Sequence, residues 1–399
     1  MSHFALVVVT TTNSEEQLKA VLQPFHEFEC TGTSDQYVVE VDDTEEKRAS
    51  YETAKGRRYR SPDGALHDPY DNIYFRDLTA DELKQAGTEK FARIPGLFIH
   101  DQDWNDGRGY RSKVHFVPAG WEDVEVPVKE FSSLRDYIAG QTDRKVIVQG
   151  GLPDYNDTHK YGYTIVDAKG EVVKTVRRTN PNAKWDWWEI GGRYRGRLLS
   201  KGGFGHQGRP GTFNNDTYHQ GGSDGLPKGE IDFERMRKLN VEKHLGWVEE
   251  AYAKMGDMPR VEVKALCIEY AGLFNEVMRP KFAAIDAGTW KDGNVWEKAN
   301  AESPRFEELG NILNPFYDYF NGAGFDRDIG DPWAWAESVA PLTAYAFLGT
   351  DGVWRGSGEM GWFGISTGVK DSGEWNREFA KALAAVPDHH TIWVVDCHI

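Results

Sequence analysis

Both ends of the chain are short runs of apolar and β-branched residues, and this constrains the fold more than any other feature. Residues 4–10 read FALVVVT and residues 391–399 read TIWVVDCHI. A run that is apolar on both faces predicts a strand buried on both sides of a sheet. A helix is expected after the first strand, capped by Asn13 or Ser14, and another over residues 374–386 before the last. We therefore expect the two terminal strands to lie in one sheet, with the rest of the chain inserted between them.

Two segments between the ends have the pattern of β-hairpins. Residues 161–178 and 343–355 each contain an alternating strand, a turn with Asp and Gly, and a second strand. Each is followed by a segment that combines Trp and Gly, WWEIGG at 187–192 and MGWFG at 360–364. An internal duplication and two unrelated hairpins both account for this similarity. We predict an α+β fold, a mostly antiparallel sheet with ferredoxin-like elements, built from the two terminal strands and both hairpins.

The order of these elements predicts how the chain is divided. The sheet is assigned to three segments, which are 1–42, 155–199 and 340–399. Between them we expect a loop-rich elaboration at 43–154, a Gly-rich mobile loop at 200–229 and a helical insertion at 230–339. Helical periodicity in the insertion covers residues 233–254, 261–286 and 304–313. Shorter helices are predicted over residues 45–55, 80–85 and 132–139.

The net charge and the cysteine content argue against several classes of protein. The formal charge is −16, from 63 acidic and 47 basic residues, which disfavours non-specific binding to nucleic acid or to an anionic membrane. Three distant cysteines, Cys30, Cys267 and Cys397, do not suit a disulfide framework or a zinc module. No run is long and apolar enough to predict a signal peptide or a membrane-spanning helix. We therefore expect a protein that acts in a reducing cytoplasm.

The segment 184–197, KWDWWEIGGRYRGR, combines aromatic, charged and glycine residues. Trp offers a ring for stacking, Arg offers a fork of donors to phosphate or carboxylate, and Gly-Gly allows a backbone to approach closely. The combination predicts a site for an anionic planar ligand such as a nucleotide. The predicted ligand-binding residues are Trp185, Asp186, Trp187, Trp188 and Arg193, together with Trp362 from the second Trp-Gly segment.

The same segment has an alternative, structural interpretation. In an extended chain, Asp186 and Trp188 share one face, while Trp185, Trp187 and Glu189 share the other. The tryptophans then form an aromatic core, and Arg193 pairs with Asp186 or Glu189 as a structural ion pair. Both interpretations stay open at this point.

Polar residues at the end of the last strand form a second candidate site. Asp396 and His398 point to one face of an extended strand, whereas Cys397 points to the other and is expected in the core. Glu27, in the loop after the first helix, is the candidate third polar group. These three predict a catalytic acid–base set or metal ligands, and a solvated strand end is the alternative. Because the chain has no HExxH, DxD, P-loop, Rossmann or GxSxG motif, we assign no metal or cofactor.

Several motifs together resemble one family of proteins. They are MSHF at 1–4, PFHEFE at 24–29, DGRGYR at 106–111, NPNAKWDWW at 180–188, GGR at 191–193, MGWFG at 360–364 and VVDCHI at 394–399. In this order they resemble an uncharacterised family from bacteriophages, prophages and some bacteria, whose members begin MSHF and end VDCHI. The resemblance spans the whole chain. One departure is Ile365, where a Cys is expected in relatives, so whatever this chain does needs no Cys there.

The resemblance and the residues together predict three classes of function. The first is a phage-type accessory or counter-defence protein in the host cytoplasm, which binds a host protein or an anionic nucleotide-like ligand. The second is a hydrolase or transferase that acts on a phosphorylated nucleotide or nucleic acid, with Arg193 on phosphate. The third is a structural or virion-associated protein without a site. Whether the protein is an enzyme stays open at the level of sequence.

Overall fold

The computed structural model of the chain describes residues 2–31, 36–77, 79, 81, 98–102, 111–202, 205–210, 218–291, 293–316, 325–360, 366–370 and 372–399. The strands in the first half of the chain are β1 His3–Thr10, β2 Val39–Asp42, β3 Lys55–Arg60, β4 Leu66–His67, β5 Phe75–Asp77, β6 Phe98–Gln102, β7 Arg111–His115, β8 Glu122–Pro127, β9 Lys145–Val148, β10 Gly162–Val166, β11 Val172–Thr179 and β12 Trp187–Gly192. The later strands are β13 Arg209–Pro210, β14 Gly225–Pro227, β15 Ala346–Leu348, β16 Trp354–Gly356, β17 Glu359–Met360, β18 Ser366–Thr367 and β19 Thr391–His398.

The helices are distributed over the whole chain. They are α1 Glu15–Leu22, α2 Phe28–Thr31, α3 Thr44–Thr53, α4 Leu134–Gln141, α5 Phe233–Ala253, α6 Arg260–Val277, α7 Arg279–Asp286, α8 Val295–Glu302, α9 Pro304–Ile312, α10 Pro332–Ser338 and α11 Ser372–Ala384. Together with the mixed and antiparallel sheets, they confirm the α+β class. None of the described helices is long and apolar enough to cross a membrane.

The first and last strands are hydrogen-bonded neighbours, as predicted. β1 and β19 run antiparallel in a continuous register from His3 opposite His398 to Thr10 opposite Thr391. All eight residues of β19 are buried, because helices cover both faces of the sheet and further strands flank the pair. β19 is therefore a central strand of the sheet.

The remaining strands of this sheet are added on either side of the terminal pair. The order is β13-β12-β19-β1-β15-β16, and β14 also pairs with β19. β15 joins β1 in parallel and forms an antiparallel hairpin with β16. The second predicted hairpin, residues 343–355, thus belongs to the terminal sheet as expected.

The first predicted hairpin does not belong to that sheet, so this part of the prediction is wrong. β10 and β11 form the hairpin at 161–178, but they lie in a separate four-stranded sheet of order β2-β11-β10-β9. Their partners are β9, which pairs in parallel with β10, and β2, which pairs with β11. The alternation of a hairpin shows that it has one buried face but does not show which strands flank it.

The chain divides into two compact units, residues 1–37 with 180–399, and residues 38–179. The second unit contains the four-stranded sheet and two three-stranded sheets, β4-β3-β8 and β5-β7-β6. In the interior of this unit, Arg144 and Asp43 form a buried ion pair at 2.8 Å. Arg144 also donates a hydrogen bond to the Thr175 hydroxyl. Every site considered below lies within the first unit.

Most predicted helices are present with shifts of a few residues at their ends. The segment 261–286 is broken into α6 and α7 at Met278, because Pro280 lacks the amide hydrogen that a continuous helix needs. The predicted helix at 80–85 lies outside the described residues, apart from residue 81. The predicted loop at 200–229 is partly wrong, since residues 209–210 and 225–227 are strands of the terminal sheet. Residues 203–204 and 211–217 of that loop lie outside the described residues.

The two faces of the terminal sheet belong to different hydrophobic clusters. Val7 and its register partner Val394 belong to the cluster that includes Phe379 of α11. Leu6 and its register partner Val395 belong to the cluster that includes the buried leucines of α1. A third cluster, formed by α5 to α10, is the core of the helical insertion. The alternation of β1 therefore supplies two cores at once.

Substitution of Val7 tests this central position. Val7→Ala is expected to lower the free energy of unfolding by roughly 2 kcal/mol, because Val7 is completely buried and two methyl groups are lost from a packed face. The matched control is Val261→Ala in α6, where the side chain is 76% exposed and a change below about 0.5 kcal/mol is expected. Denaturant unfolding followed by tryptophan fluorescence measures both. Equal losses in the two variants would contradict the central position of β1.

Candidate functional site

The apolar face of the terminal sheet becomes polar at the end where the two chain termini meet. His3, four residues before Val7, and Asp396, two residues after Val394, point to the same side of the sheet as these two valines. The Nδ1 atom of His3 donates a hydrogen bond of 2.9 Å to Oδ1 of Asp396. Both side chains are buried, and that of Asp396 has no exposed surface. The predicted residue Asp396 thus has a partner, His3, that sequence analysis did not identify.

His398 forms a second imidazole–carboxylate pair beside the first. Its Nδ1 atom donates to Oδ1 of Asp186 at 2.6 Å, and the same oxygen accepts the amide of Trp187 at 2.7 Å. The Trp187 ring stacks on His398 with centroids 5.0 Å apart and also meets the His3 ring edge-to-face. We call His3, Asp186, Trp187, Asp396 and His398 the terminal cluster.

Two glycines allow the chain to turn around this cluster. Gly191 and Gly192 have φ values of +77° and +50°, which residues with a side chain rarely adopt. A Cβ atom at Gly192 would lie less than 3.0 Å from carboxylate oxygens of both Asp396 and Glu189. The turn then presents the amide of Arg193, which donates to Oδ2 of Asp396 at 2.8 Å. The Gly-Gly step therefore places a backbone donor on a fully buried carboxylate.

The structure separates the predicted ligand-binding residues into two groups. Asp186, Trp187 and the backbone of Arg193 join the terminal cluster, as do Asp396 and His398. Trp185 and Trp188 lie instead on the side of α1, where their rings meet edge-to-face at 6.5 Å.

The predicted alternation of faces is therefore wrong for Trp185 and for Asp186. The strand β12 begins only at Trp187, so the alternation does not extend back to residue 185. The backbone of Glu27 is positioned beside Trp185, because its amide donates a hydrogen bond to the Trp185 carbonyl. Trp362 lies outside the described residues.

The terminal cluster has the groups for acid–base chemistry but little access to solvent. The side chains of His3 and His398 are 5% and 7% exposed. Trp187, 37% exposed, stacks on His398. Among the described residues, no group of three or more His, Cys, Asp or Glu side chains is arranged to hold a metal ion. As folded, the cluster joins the two chain ends, and contact of a substrate with these imidazoles requires the Trp187 ring to move.

A cavity of about 860 Å³ lies on the helical side of the same unit. One wall is a face of α5, and the others come from residues 338–343 and from α11. Five aromatic rings line it, from Tyr218, His244, Trp247, Phe325 and Trp335. Ligand pockets for small molecules have this size range and are mostly apolar with a few placed polar groups. We call this space the helical cavity.

Charged side chains of both signs line the helical cavity. Asp326 and Arg377 both approach Gly373, and Glu250 of α5 lies one turn before Lys254, which follows the end of this helix. Arg197 forms no ion pair within the described ranges. Its guanidinium carbon lies 5.1 Å from the centre of the Tyr218 ring, and burial lowers its pKa. A partly buried guanidinium without a carboxylate is the feature expected of an anion site.

His244 supplies a neutral acceptor to the cavity. Its Nδ1 atom donates to the Asn240 carbonyl at 2.7 Å, and burial lowers the pKa of the imidazole. In the neutral ring, the other nitrogen, Nε2, then carries a lone pair. The ring packs edge-to-face against Trp247 and Trp335. A ligand N–H or O–H group is the natural partner of this nitrogen.

One short segment connects the terminal cluster with the helical cavity. After the Gly-Gly turn, Arg193 reaches Asp396 through its amide, and Tyr194 donates its hydroxyl to the His3 carbonyl at 3.2 Å. Burial, with a smaller contribution from Asp396, raises the pKa of Tyr194 to about 12. Three residues further, Arg197 enters the cavity. Asp224 holds this segment in place, because its buried carboxylate accepts a hydrogen bond of 2.6 Å from the amide of Gly196.

The sequence pattern indicates the arginine-rich segment but not the cavity into which it projects. The signal on α5 was present, because Asn240, His244, Trp247 and Ala251 recur at helical spacing and form one stripe. Such a stripe is typical of a core-facing helix, so its pattern does not distinguish a packed face from a cavity wall. No protein-family model, curated protein or solved structure matches this chain.

The close approach at Gly192 gives a direct test of the terminal cluster. Gly192→Ala is expected to lower the free energy of unfolding by at least about 2 kcal/mol, from the positive φ and the contact with two carboxylates. Gly202→Ala is the control, because nothing lies within 4 Å of the added methyl group and its φ is not positive. Chemical denaturation measures both changes. If Gly192→Ala is as stable as Gly202→Ala, the Gly-Gly turn is not packed against Asp396.

Proposed function

We propose that the protein binds a small anionic ligand with a planar aromatic group, of the nucleotide class, in the helical cavity. The observation that carries the proposal is Arg197, a cation without a carboxylate partner in the described structure, at the wall of an aromatic cavity. A nucleotide matches this lining, since its base stacks on rings such as Trp247 and its phosphate accepts from the guanidinium fork.

We further propose that this binding serves a phage-type accessory or counter-defence role in the host cytoplasm. The resemblance of the sequence motifs to phage and prophage proteins supports the phage-type character of this role. The net charge of −16 supports a small ligand over a nucleic-acid strand, since a strongly negative protein repels a long polyanion. Capture of a nucleotide used by the host as a signal is one action that fits both observations. Binding of a host protein is the alternative for this role.

A hydrolase or transferase acting on a phosphorylated nucleotide is the second candidate function. The observation that favours it is His244, because a neutral imidazole with a lone pair at the cavity is suited to accept a proton. Mass spectrometry of nucleoside mono-, di- and triphosphates after incubation with the protein separates the two functions. Recovery of intact ligand supports binding alone, and conversion that His244→Ala abolishes supports the enzyme.

The role of Arg197 is tested by removing its charge. Arg197→Gln is expected to weaken binding of nucleoside monophosphates about 10-fold or more, the loss typical of a charged hydrogen bond. The control is Lys238→Gln on α5, a residue that is 76% exposed and does not line the cavity. Isothermal titration calorimetry with AMP, GMP, CMP and UMP measures the affinities. If none of the four binds the wild-type protein, or if both variants lose affinity equally, the proposed site is wrong.

A further inference from the structure

One aromatic ring at the margin of the helical cavity is surrounded by cationic side chains. The Tyr218 ring centre lies 5.1 Å from the guanidinium of Arg197 and 4.8 Å from the ammonium of Lys243. The same ammonium lies 4.9 Å from the Trp247 ring. Tyr218 and Trp247, the two rings that these cations contact, both line the cavity, as does Arg197 itself. His219 follows Tyr218 directly, and its environment includes Arg235.

The backbone fixes the ring and its neighbours in place. The amides of Tyr218 and His219 donate to the carbonyls of Arg195 and Gly196, at 2.8 Å and 3.1 Å. Arg235 and Lys243 lie eight residues apart on α5, so they project from one face of that helix. The four charged or titratable members come from three separate stretches of the chain. We call Arg197, His219, Arg235 and Lys243 the Tyr218 cluster.

Within the described residues, no carboxylate forms an ion pair with a cation of the Tyr218 cluster. In the portions of the chain given by the structure, Arg197, Arg235 and Lys243 form no ion pair, although acidic residues outnumber basic ones. Elsewhere arginines are paired, for example Arg57 with Asp123 and Arg305 with Glu269. Burial and the three neighbouring cations lower the pKa of His219. Its Nε2 atom is buried and has no hydrogen-bond partner within the described residues.

We propose that the ligand of the helical cavity carries a polyphosphate group, and that the Tyr218 cluster binds it. This inference rests on the proposed function and specifies its ligand as a nucleoside di- or triphosphate. Several cations around one ring repel each other, and a multiply charged anion relieves that repulsion more than a single carboxylate does. Arginine and lysine are the side chains that contact phosphate oxygens most effectively.

A short polyphosphate fits this cluster better than a nucleic-acid strand does. The cations are confined to the margin of one cavity, and the chain as a whole carries a charge of −16. A strand several nucleotides long would extend beyond the cluster into the field of the acidic surface, where it is repelled. A polyphosphate joined to a base in the aromatic part of the cavity remains within reach of the cations.

The experiment compares ligands that differ only in their phosphates. The full-length protein is titrated by calorimetry, at fixed ionic strength, with the adenine series adenosine, AMP and ATP, the corresponding guanine series, and inorganic tripolyphosphate. We expect the triphosphate of the series that binds to exceed its monophosphate in affinity by about 10-fold or more. Tripolyphosphate is expected to bind and to displace the triphosphate, whereas a thymidine oligonucleotide does not displace it.

Matched variants separate the phosphate contacts from the cavity itself. Lys243→Gln and Arg235→Gln are expected to weaken triphosphate and tripolyphosphate binding by roughly 5-fold each, because both side chains are exposed. Affinity for the monophosphate should stay within about twofold in these variants, and Lys238→Gln should leave all affinities within about twofold. Lys238 lies on the same helix but is not part of the Tyr218 cluster, and it pairs with Glu242.

The outcomes separate this inference from the proposed function. A triphosphate that binds no better than its monophosphate, or tripolyphosphate that does not compete, overturns the inference while nucleotide binding stands. Displacement of the triphosphate by the oligonucleotide overturns it in favour of a nucleic-acid surface. Binding of tripolyphosphate without any nucleotide preference supports the cationic cluster but contradicts the proposed function. If no compound binds, both are wrong.

Discussion

The antiparallel pairing of the first and last strands is the constraint on which the rest of the first unit depends. β19 pairs with β1 over its whole length and also with β12 and β14, while β1 also pairs with β15. Both terminal strands therefore need neighbours from the middle of the chain. Because contacts between chain ends have the largest possible sequence separation, the sheet forms at a high cost in loop entropy. The buried faces of the two strands offset this cost.

This constraint also explains why the most distinctive segment of the sequence lies where it does. The pairing creates a polar end, and residues 186–193 close it with the Asp186 carboxylate, the Trp187 ring and the Gly-Gly turn. The chain then continues through Tyr194 to Arg197 at the cavity. The two parts of the segment therefore have different roles. Residues 186–193 complete the sheet, and Arg197 brings a positive charge to the cavity. Removal of the sheet contacts would misplace Arg197 as well.

Sequence patterns predict an element correctly where burial of one or both of its faces decides its structure. The terminal strands, the long helices and the hairpin at 343–355 follow from such patterns. The hairpin at 161–178 was placed in the wrong sheet, because its alternation does not specify its flanking strands. Trp185 was placed on the wrong face, because a single offset at the start of β12 reverses every side chain before it. The helical cavity was missed because it is formed by elements distant in sequence, and the stripe on α5 resembles an ordinary core face.

The central claim is that a nucleotide occupies the helical cavity with its phosphates at Arg197. A crystal structure of the full-length protein, grown at a nucleoside triphosphate concentration that saturates binding, tests it most directly. The account predicts electron density for the base against Trp247 or Trp335 and for the phosphates beside Arg197 and Lys243. An empty cavity in crystals of the saturated protein, with the nucleotide bound elsewhere, would contradict it.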